Sequence, residues 1–239
     1  MNKNSHINNK DRPLIFVGSN SVMYKLTDLC DRLGIYVAGI LDKDYYGNTD
    51  TVCDLPVIDT EENIQNYTDY NFFCATNWLP MTDAISTRNR DKRKYLIQLF
   101  KDNNIKSISL VDPMASVSKS AVIGHNVFID AFTLIESNVV VGDFTSIYAQ
   151  CAIGHNTVFM ENCVMQRCVG TAADQVYEND VFFGGGVRAL KTGAKYSAGT
   201  FVHEQVYIAR GTTPNEIVSF NGYNTKRVER PYTSDIIDN

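Results

Sequence analysis

The sequence feature that most constrains the fold is a six-residue repeat of aliphatic residues that begins at Val111. Steps of six along the chain give an unbroken run of valine and isoleucine: Val117, Ile123, Ile129, Ile135, Val141, Ile147 and Ile153. The same frame continues through mixed side chains: Phe159, Met165, Thr171, Tyr177, Phe183 and Ala189. A hexapeptide period is typical of a parallel β-helix, in which each repeat supplies a short strand and a turn. The repeat therefore predicts a β-helix over residues 111–213.

The hexad also predicts which side chains fill the interior of this β-helix. The repeat residue should point inward and its two neighbours outward. Small residues four places later suit a narrow interior: Thr133, Thr145, Cys151, Thr157 and Cys163. After Ala189 the frame slips by one residue and resumes at Tyr196, Val202 and Ile208, which predicts a looped-out turn near residues 190–194.

Three hexads make one coil, so outward residues eighteen positions apart should stack on one face. The first face carries what we call the valine ladder: Val122, Val140, Val158 and Val176. The second carries Phe128, Ser146, Val164 and Phe182, and the third Leu134, Ala152, Gly170 and Arg188. Because an exposed apolar surface marks an interface, the valine ladder predicts self-association, most simply as a homotrimer.

Residues 13–110 alternate between strand and helix patterns, which predicts a Rossmann-like α/β domain with a parallel sheet. The buried strand Leu14–Val17 leads into a helix that should end at Gly34. Gly18 alone stands where a dinucleotide fingerprint has three glycines, and an ordinary strand-to-helix turn is the simpler interpretation. Asp42 nevertheless follows the second strand, where such folds bind a ribose or base. We therefore expect nucleotide recognition without redox chemistry.

Charge, hydropathy and cysteine content restrict the kind of protein that this sequence can encode. Residues 1–12 are polar and predicted to be a disordered tail, and residues 214–239 form a closing segment and tail. The formal charge of −5 argues against a nucleic-acid binder. No apolar run has the length of a membrane span, and the start of the chain does not resemble a signal peptide. Six cysteines without a CxxC pair suit reduced thiols. Together these features predict a cytoplasmic protein.

Two histidines share the local string Ile-Gly-His-Asn. His125 and His155 each follow an inward isoleucine by two places, so both side chains should point outward at turns. Their separation is not a multiple of eighteen, which places them on different edges. His155 lies between the third face and the valine ladder, at the margin of the predicted interface. A solvated or turn-stabilising role stays open for both. His203 has another hexad phase, so we predict no three-histidine zinc site.

The two-part organisation resembles a known family. An α/β domain that leads through Leu110-Val111-Asp112-Pro113 into hexads beginning Ala115-Ser116-Val117-Ser118 is similar to bacterial nucleotide-sugar acyltransferases. Members of that family acetylate UDP-4-amino sugars or GDP-perosamine, and sialic-acid O-acetyltransferases share its domain plan. The resemblance runs from Pro13 to about Val228. It implies a left-handed β-helix as the acyltransferase domain and a nucleotide-linked amino sugar as acceptor.

The resemblance also implies roles for individual residues. His155 aligns with the histidine that acts as general base, and acetyl-CoA would lie in a groove between subunits. The implied acetyl-CoA contacts are Ala173, Gly184 and Gly185. The implied sugar-nucleotide contacts are Gly18, Asn20, Asp42 and Lys43. Family members often carry an acidic residue beside the histidine, whereas His155 is flanked by Gly154 and Asn156.

With these residues, the resemblance implies an acetyl-CoA-dependent N-acetyltransferase that transfers the acetyl group directly, without a metal or a covalent enzyme intermediate. An O-acetyltransferase of the sialic-acid type needs the same base and fold, and so stays open. A second alternative is a non-catalytic trimeric scaffold, which would have the same β-helix fold but would not transfer an acetyl group.

Overall fold

The computed structural model describes residues 4–19, 23–76, 84–221 and 224–229, and for residues 84–89, 220–221 and 224–229 it describes the backbone alone. The chain forms two compact units, Met1–Asp112 and Pro113–Asn239. No helix in the described part of the chain is long and apolar enough to cross a membrane.

The first unit is built around a small, mostly parallel sheet. Its elements are β1 (Leu14–Val17), α1 (Met23–Leu33), β2 (Val37–Leu41), β3 (Thr51–Val52), β4 (Leu55–Asp59), a 3-10 helix (Glu61–Asn66), β5 (Asn71–Cys74), α2 (Ala84–Asp102) and β6 (Leu110–Val111). The five strands of the sheet lie in the order β3-β4-β2-β1-β5. The pairs β1–β2, β1–β5 and β2–β4 are parallel, and β3 is an antiparallel edge strand.

The sequence explains the centre of this sheet. All four residues of β1 are apolar and fully buried, as expected for a strand covered on both faces. Helix α1 buries Met23, Leu26, Leu29 and Cys30. It ends at Gly34, whose φ of 67° is the left-handed conformation that closes helices. The amide of Ile35 then bonds the carbonyl of Cys30 at 2.9 Å. The predicted helix end is therefore confirmed.

The second unit is a parallel β-helix of two-residue strands. The first face comprises β8 (Val122–Ile123), β11 (Val140–Val141), β14 (Val158–Phe159), β17 (Val176–Tyr177) and β20 (Lys195–Tyr196). The second comprises β9 (Phe128–Ile129), β12 (Ser146–Ile147), β15 (Val164–Met165), β18 (Phe182–Phe183) and β21 (Phe201–Val202). The third comprises β7 (Ser116–Val117), β10 (Leu134–Ile135), β13 (Ala152–Ile153), β16 (Gly170–Thr171), β19 (Arg188–Ala189) and β22 (Tyr207–Ile208).

The pairing register confirms the eighteen-residue coil. Val140 pairs with Val122 and with Val158, and the other two faces repeat at the same interval. The slip after Ala189 is also present, because Tyr177 pairs with Tyr196 nineteen positions later. A hairpin of β23 (Glu216–Asn221) and β24 (Asn224–Glu229) extends the second face through β21.

Burial follows the hexad inside the helix but departs from it on one outer face. The predicted interior residues are buried, including the five small residues at the fourth place, except for Val117 and Thr171, which are half-buried. The outward residues of the second face were expected at the surface, yet they are only 0–8 % exposed: Phe128, Ser146, Val164 and Phe182. The valine ladder stays partly exposed, because Val140 is 36 % exposed and its three other members are half-buried: Val122, Val158 and Val176. Only the first and third faces are therefore open surfaces in the described chain.

The beginning of the chain differs from the predicted disordered tail. Ile7 forms a parallel bridge with Ser109. The side chain of Asn8 donates to the carbonyl of Val111 at 2.9 Å and accepts from its amide at 2.8 Å. These two hydrogen bonds pair the backbone amide and carbonyl of Val111, at the edge of a short strand. The described residues 4–12 are therefore attached to the first unit.

Candidate active site

His155 lies at the turn that follows β13, at the corner between the third face and the valine ladder. Its side chain is exposed, as predicted, and its imidazole makes no hydrogen bond or ion pair with the described residues. His125 follows β8 at a different corner, between the first and second faces. The two identical strings are therefore separated in space, and only one of them borders the third face.

An acidic residue does stand beside His155, but it comes from the preceding coil. Glu136 follows β10 and occupies the same corner one coil earlier, where its Oε2 accepts the backbone N–H of His155 at 2.8 Å. No acidic side chain fits at position 154, because a Cβ on Gly154 would lie 2.7 Å from the backbone carbonyl of Ala172. The side-chain amide of Asn156 is engaged with the next turn, where it donates to Oδ1 of Asp174 at 2.8 Å. Glu136 was missed because only the sequence neighbours of His155 were considered.

A groove of about 480 Å³ opens beside this corner. Its wall combines the start of the third face with the turn residues: Ser116, Ser118, Leu134, Glu136, Ser137 and His155. Three serines, one glutamate and one histidine thus line the groove together with apolar residues, among them Leu134. Such a groove suits a polar acceptor that must present one nucleophilic atom to a base.

Ala173 belongs to the same corner as His155, one coil later. The amide of Asp174 bonds the carbonyl of His155 at 2.9 Å, which fixes the two turns against each other. Gly184 and Gly185 instead follow β18, at the corner between the second and third faces. The predicted acetyl-CoA contacts therefore occupy two edges that share the third face.

The two predicted glycine contacts differ in what surrounds them. A Cβ on Gly184 would lie 2.6 Å from the amide nitrogen of Glu204, so coil stacking alone requires glycine there. A Cβ on Gly185 would meet only the carbonyl of Arg167, at an ordinary 3.5 Å. Gly185 is half-buried and leaves its backbone approachable. Of the pair, Gly185 is therefore the residue whose missing side chain suits a ligand.

The thiol nearest to His155 in sequence is not a nucleophile. Cys151 is buried and donates to the carbonyl of Gln166 at 3.0 Å. Burial raises the pKa of the Cys151 thiol to about 12, so it stays protonated at neutral pH. Among the described residues, no cluster of three or more His, Cys, Asp or Glu side chains is placed to hold a metal ion. His155 is therefore the candidate general base at this corner.

In the first unit, Gly18 ends β1 with a φ of 73°. A Cβ at this position would lie 2.3 Å from Oγ1 of Thr76 and 2.6 Å from Cδ1 of Leu96. Close packing of the strand end against β5 and α2 therefore requires glycine here, whether or not a ligand binds. Asn20, the neighbouring predicted contact, lies outside the described residues.

Asp42 is placed differently from its prediction as a direct sugar-nucleotide contact. Its carboxylate is fully buried, and both oxygens are engaged within the chain. Oδ2 accepts from the hydroxyl of Ser19 at 2.7 Å, and Oδ1 accepts from Nζ of Lys92 at 2.5 Å. Lys92, on α2, also donates to Asp44 at 2.6 Å. Asp42 thus connects the ends of β1 and β2 to α2 and is not presented to a ligand in this conformation.

The charge on Lys92 is maintained by these contacts. Burial lowers the pKa of Lys92, but its hydrogen bonds to Asp42 and Asp44 outweigh that effect, so the pKa lies above its ordinary value. Sequence reasoning missed Lys92, which stands fifty positions from Asp42 on the basic helix.

Lys43 is the predicted contact that remains at the surface. Its amide donates to Oε2 of the buried Glu61 at 2.6 Å, which fixes the loop after β2. Its ammonium group lies 4.4 Å from the ring centroid of Tyr95 and 3.3 Å from a carboxylate oxygen of Glu62. Lys43 is therefore an accessible cation on an ordered loop.

Replacing Asp42 tests this arrangement. Asp42→Ala should lower the free energy of unfolding by about 3 kcal/mol, because it leaves a mostly buried ammonium with one partner fewer. Urea denaturation followed by circular dichroism measures this change. Adding Lys92→Ala should cost less than the sum of the two single changes, since the partner charge is then gone. An unchanged midpoint for Asp42→Ala would show that the ion pair contributes nothing to folding.

No protein-family model and no curated protein sequence matches this chain. Its structure is similar to the acetyltransferase domain of PglB from Neisseria gonorrhoeae, solved in complex with acetyl coenzyme A. That likeness has a TM-score of 0.75, 18 % identity, and covers 91 % of this chain and 99 % of that one.

Two further solved structures show the same likeness. WeeI from Acinetobacter baumannii has a TM-score of 0.69 and 12 % identity, over 90 % of this chain and 99 % of that one. A histidine-to-asparagine variant of perosamine N-acetyltransferase from Caulobacter crescentus, in complex with CoA and GDP-perosamine, has a TM-score of 0.66 and 17 % identity. It is matched over 91 % of this chain and 97 % of that one. The protein thus shares the fold of bacterial sugar N-acetyltransferases.

Proposed function

We propose that the protein is an acetyl-CoA-dependent N-acetyltransferase acting on a nucleotide-linked amino sugar. The first unit serves as a Rossmann-like sugar-nucleotide-binding domain, and the second as a left-handed β-helix acyltransferase domain. The observation that supports this best is the exposed His155, whose imidazole has no partner among the described residues, at the edge of a polar groove on this fold. Solved neighbours of the same fold bind acetyl-CoA, CoA or GDP-perosamine.

The proposed reaction is a direct transfer. The acceptor amine forms a bond to the acetyl carbonyl carbon as His155 removes a proton from the nitrogen. The carbon–sulfur bond then breaks, and the imidazolium returns that proton to the departing thiolate, giving the amide and free CoA. Backbone N–H groups along the groove stabilise the oxyanion of the tetrahedral intermediate. The buried, protonated Cys151 takes no part.

Binding of the sugar nucleotide is assigned to the loop ends of the first unit. Lys43 supplies an accessible cation for a phosphate group, while Gly18 and Asp42 hold the surrounding backbone in place. Asn20 is retained as a proposed contact from the resemblance. In this proposal Asp42 acts on the ligand indirectly, through Lys92 and the loop that carries Lys43.

Assembly as a homotrimer completes the proposed acetyl-CoA groove. The valine ladder stays partly exposed on the first face, and His155 lies at its margin. Burying such an apolar ladder against another subunit is favourable. Acetyl-CoA would then lie along a groove between subunits, contacting the backbone of Ala173, Gly184 and Gly185.

Gly185→Ala tests the proposed acetyl-CoA groove. We expect its free energy of unfolding to stay within about 0.5 kcal/mol of wild type, because the added methyl group meets no close neighbour. Its affinity for acetyl-CoA should fall about tenfold, since the methyl group blocks close approach to the backbone. Calorimetric titration with acetyl-CoA measures this. Gly184→Ala is the structural counterpart and should unfold more easily by about 1–3 kcal/mol. Wild-type affinity in Gly185→Ala would remove this residue from the groove.

A panel of acceptors tests the function as a whole. Purified protein is incubated with acetyl-CoA and with UDP-, GDP- or dTDP-linked 4-amino sugars, or with sialic acid, and release of free CoA thiol is followed. We expect transfer to one of the amino sugars. Transfer to sialic acid alone would favour the O-acetyltransferase, which needs the same histidine and groove. No transfer to any acceptor by a protein that is trimeric would favour the non-catalytic scaffold.

A further inference from the structure

Glu136 uses only one of its two carboxylate oxygens in contacts with the described residues. One carboxylate oxygen, Oε2, accepts the N–H of His155 at 2.8 Å. The other, Oε1, makes no hydrogen bond or ion pair with any described residue. Glu136 is half-buried and lines the same groove as His155. One oxygen thus stabilises the turn that carries the base, and the second is left for a ligand in the groove.

Glu178, at another turn of the β-helix, shows a carboxylate whose charge is paired within the β-helix itself. Glu178 also accepts a backbone N–H from a later turn, that of Ala198 at 3.0 Å. Its other oxygen, however, is paired with the ammonium of Lys195 at 2.6 Å. The groove beside His155 is lined by no lysine or arginine among the described residues. The negative charge of Glu136 is therefore not neutralised within its own site.

The ligand group that best complements the negative charge of Glu136 is an ammonium group. An aliphatic amine on a sugar is largely protonated near neutral pH, whereas a sugar hydroxyl is neutral. A carboxylate that is partly removed from water binds the cation by a charge-assisted hydrogen bond and gains less from the hydroxyl. A carboxylate one coil away from the base would hold the acceptor nitrogen within reach of the imidazole.

We propose that Glu136 binds the amino group of the acceptor and makes the site select amines over hydroxyls, an inference that rests on the proposed acetyltransferase function. The ammonium group releases one proton to solvent before it attacks. The nitrogen then passes its second proton through His155 to the CoA thiolate, so that the overall reaction yields the amide, free CoA and one proton.

The experiment compares Glu136→Gln with wild type on whichever UDP-, GDP- or dTDP-linked 4-amino sugar the wild type acetylates fastest. Glutamine keeps an oxygen for the amide of His155 but removes the charge. The KM for the amino sugar should rise about tenfold, the usual worth of one charge-assisted hydrogen bond. The kcat and the KM for acetyl-CoA should change by less than about twofold, because the loss is in ground-state binding of the acceptor. Glu136→Asp, which keeps the charge, should recover part of the affinity.

The chain offers a matched control at its second Ile-Gly-His-Asn string. Asp143 accepts the backbone N–H of His125 at 2.7 Å, so Asp143→Asn removes an equivalent charge away from the groove. It should leave both KM values unchanged. The 4-hydroxy analogue of the same nucleotide sugar, used as a competitive inhibitor, should bind wild type and Glu136→Gln equally well.

The outcomes separate this inference from the proposed function. An unchanged KM in Glu136→Gln, or an equal loss of affinity for the hydroxy analogue, would overturn the role of Glu136 while leaving the acetyltransferase intact. If no amino sugar is acetylated, calorimetric binding of the same amino sugars decides. Amine binding that Glu136→Gln weakens would support the inference without the transfer reaction. Amine binding that the substitution leaves unchanged, or no binding at all, would overturn the inference.

Discussion

His155→Ala should reduce turnover by about a hundred- to ten thousandfold, the range expected when a positioned general base is lost. The imidazole is exposed and makes no side-chain contact with the described residues, so its removal should leave the free energy of unfolding and the oligomeric state unchanged. Affinity for acetyl-CoA should also persist, because the lost interaction belongs to the transition state. Initial rates of CoA thiol release, together with a thermal unfolding curve, measure both properties.

His125→Ala is the internal control for this prediction. His125 has the same neighbours in sequence but lies at the corner between the first and second faces, away from the groove that contains His155. It should retain most of the activity. If His125→Ala abolished turnover and His155→Ala did not, the base would have been assigned to the wrong corner. If neither change affected an active enzyme, the histidine mechanism itself would be wrong.

Val140→Asp should dissociate the proposed trimer into single chains and abolish activity with it. Val140 lies in the middle of the valine ladder and is 36 % exposed in one chain. An aspartate at that place would be carried into a dry interface without a partner, at a cost of about 3 kcal/mol or more for each contact. Sedimentation velocity should then give the 26.8 kDa of one chain.

The control for this second prediction is Tyr36→Asp. Tyr36 is also an exposed apolar residue, at 72 %, but it lies in the first unit, outside the ladder. It should sediment as wild type does. A wild-type protein that is itself monomeric at micromolar concentration would refute both the interface and the proposed groove between subunits.

The site was only partly predictable from sequence, and the reason is the kind of neighbour involved. His155 could be placed at an outward corner because its phase in the hexad is a local property. Glu136 lies nineteen positions earlier, and its proximity follows from coil stacking. The signal was present in the eighteen-residue period, which superimposes residue 136 on residue 154. Reading only the adjacent positions, Gly154 and Asn156, gave the wrong impression that no acidic residue was near.

In the first unit, the role predicted from sequence position differs from the contacts that the tertiary structure shows. Position alone predicted Asp42 as a ligand contact, because it follows the second strand of a parallel sheet. Its burial depends on Lys92 and Ser19, which are brought to it by the packing of α2 and the end of β1. No local pattern encodes that contact, since α2 reaches the strand ends only after the chain has folded.

The sequence by itself determined the β-helix, its coil length, its inward residues and the slip after Ala189, because a period of six forces one side chain per strand into a narrow interior. Tertiary structure alone decided that the second face is buried, that Asp42 is an internal ion-pair partner and that Glu136 stands beside His155. The physical reason is that inward packing depends on the residue type and on its position in the hexad, which are both local. The role of a charged side chain depends instead on which groups the fold brings within hydrogen-bonding distance of it.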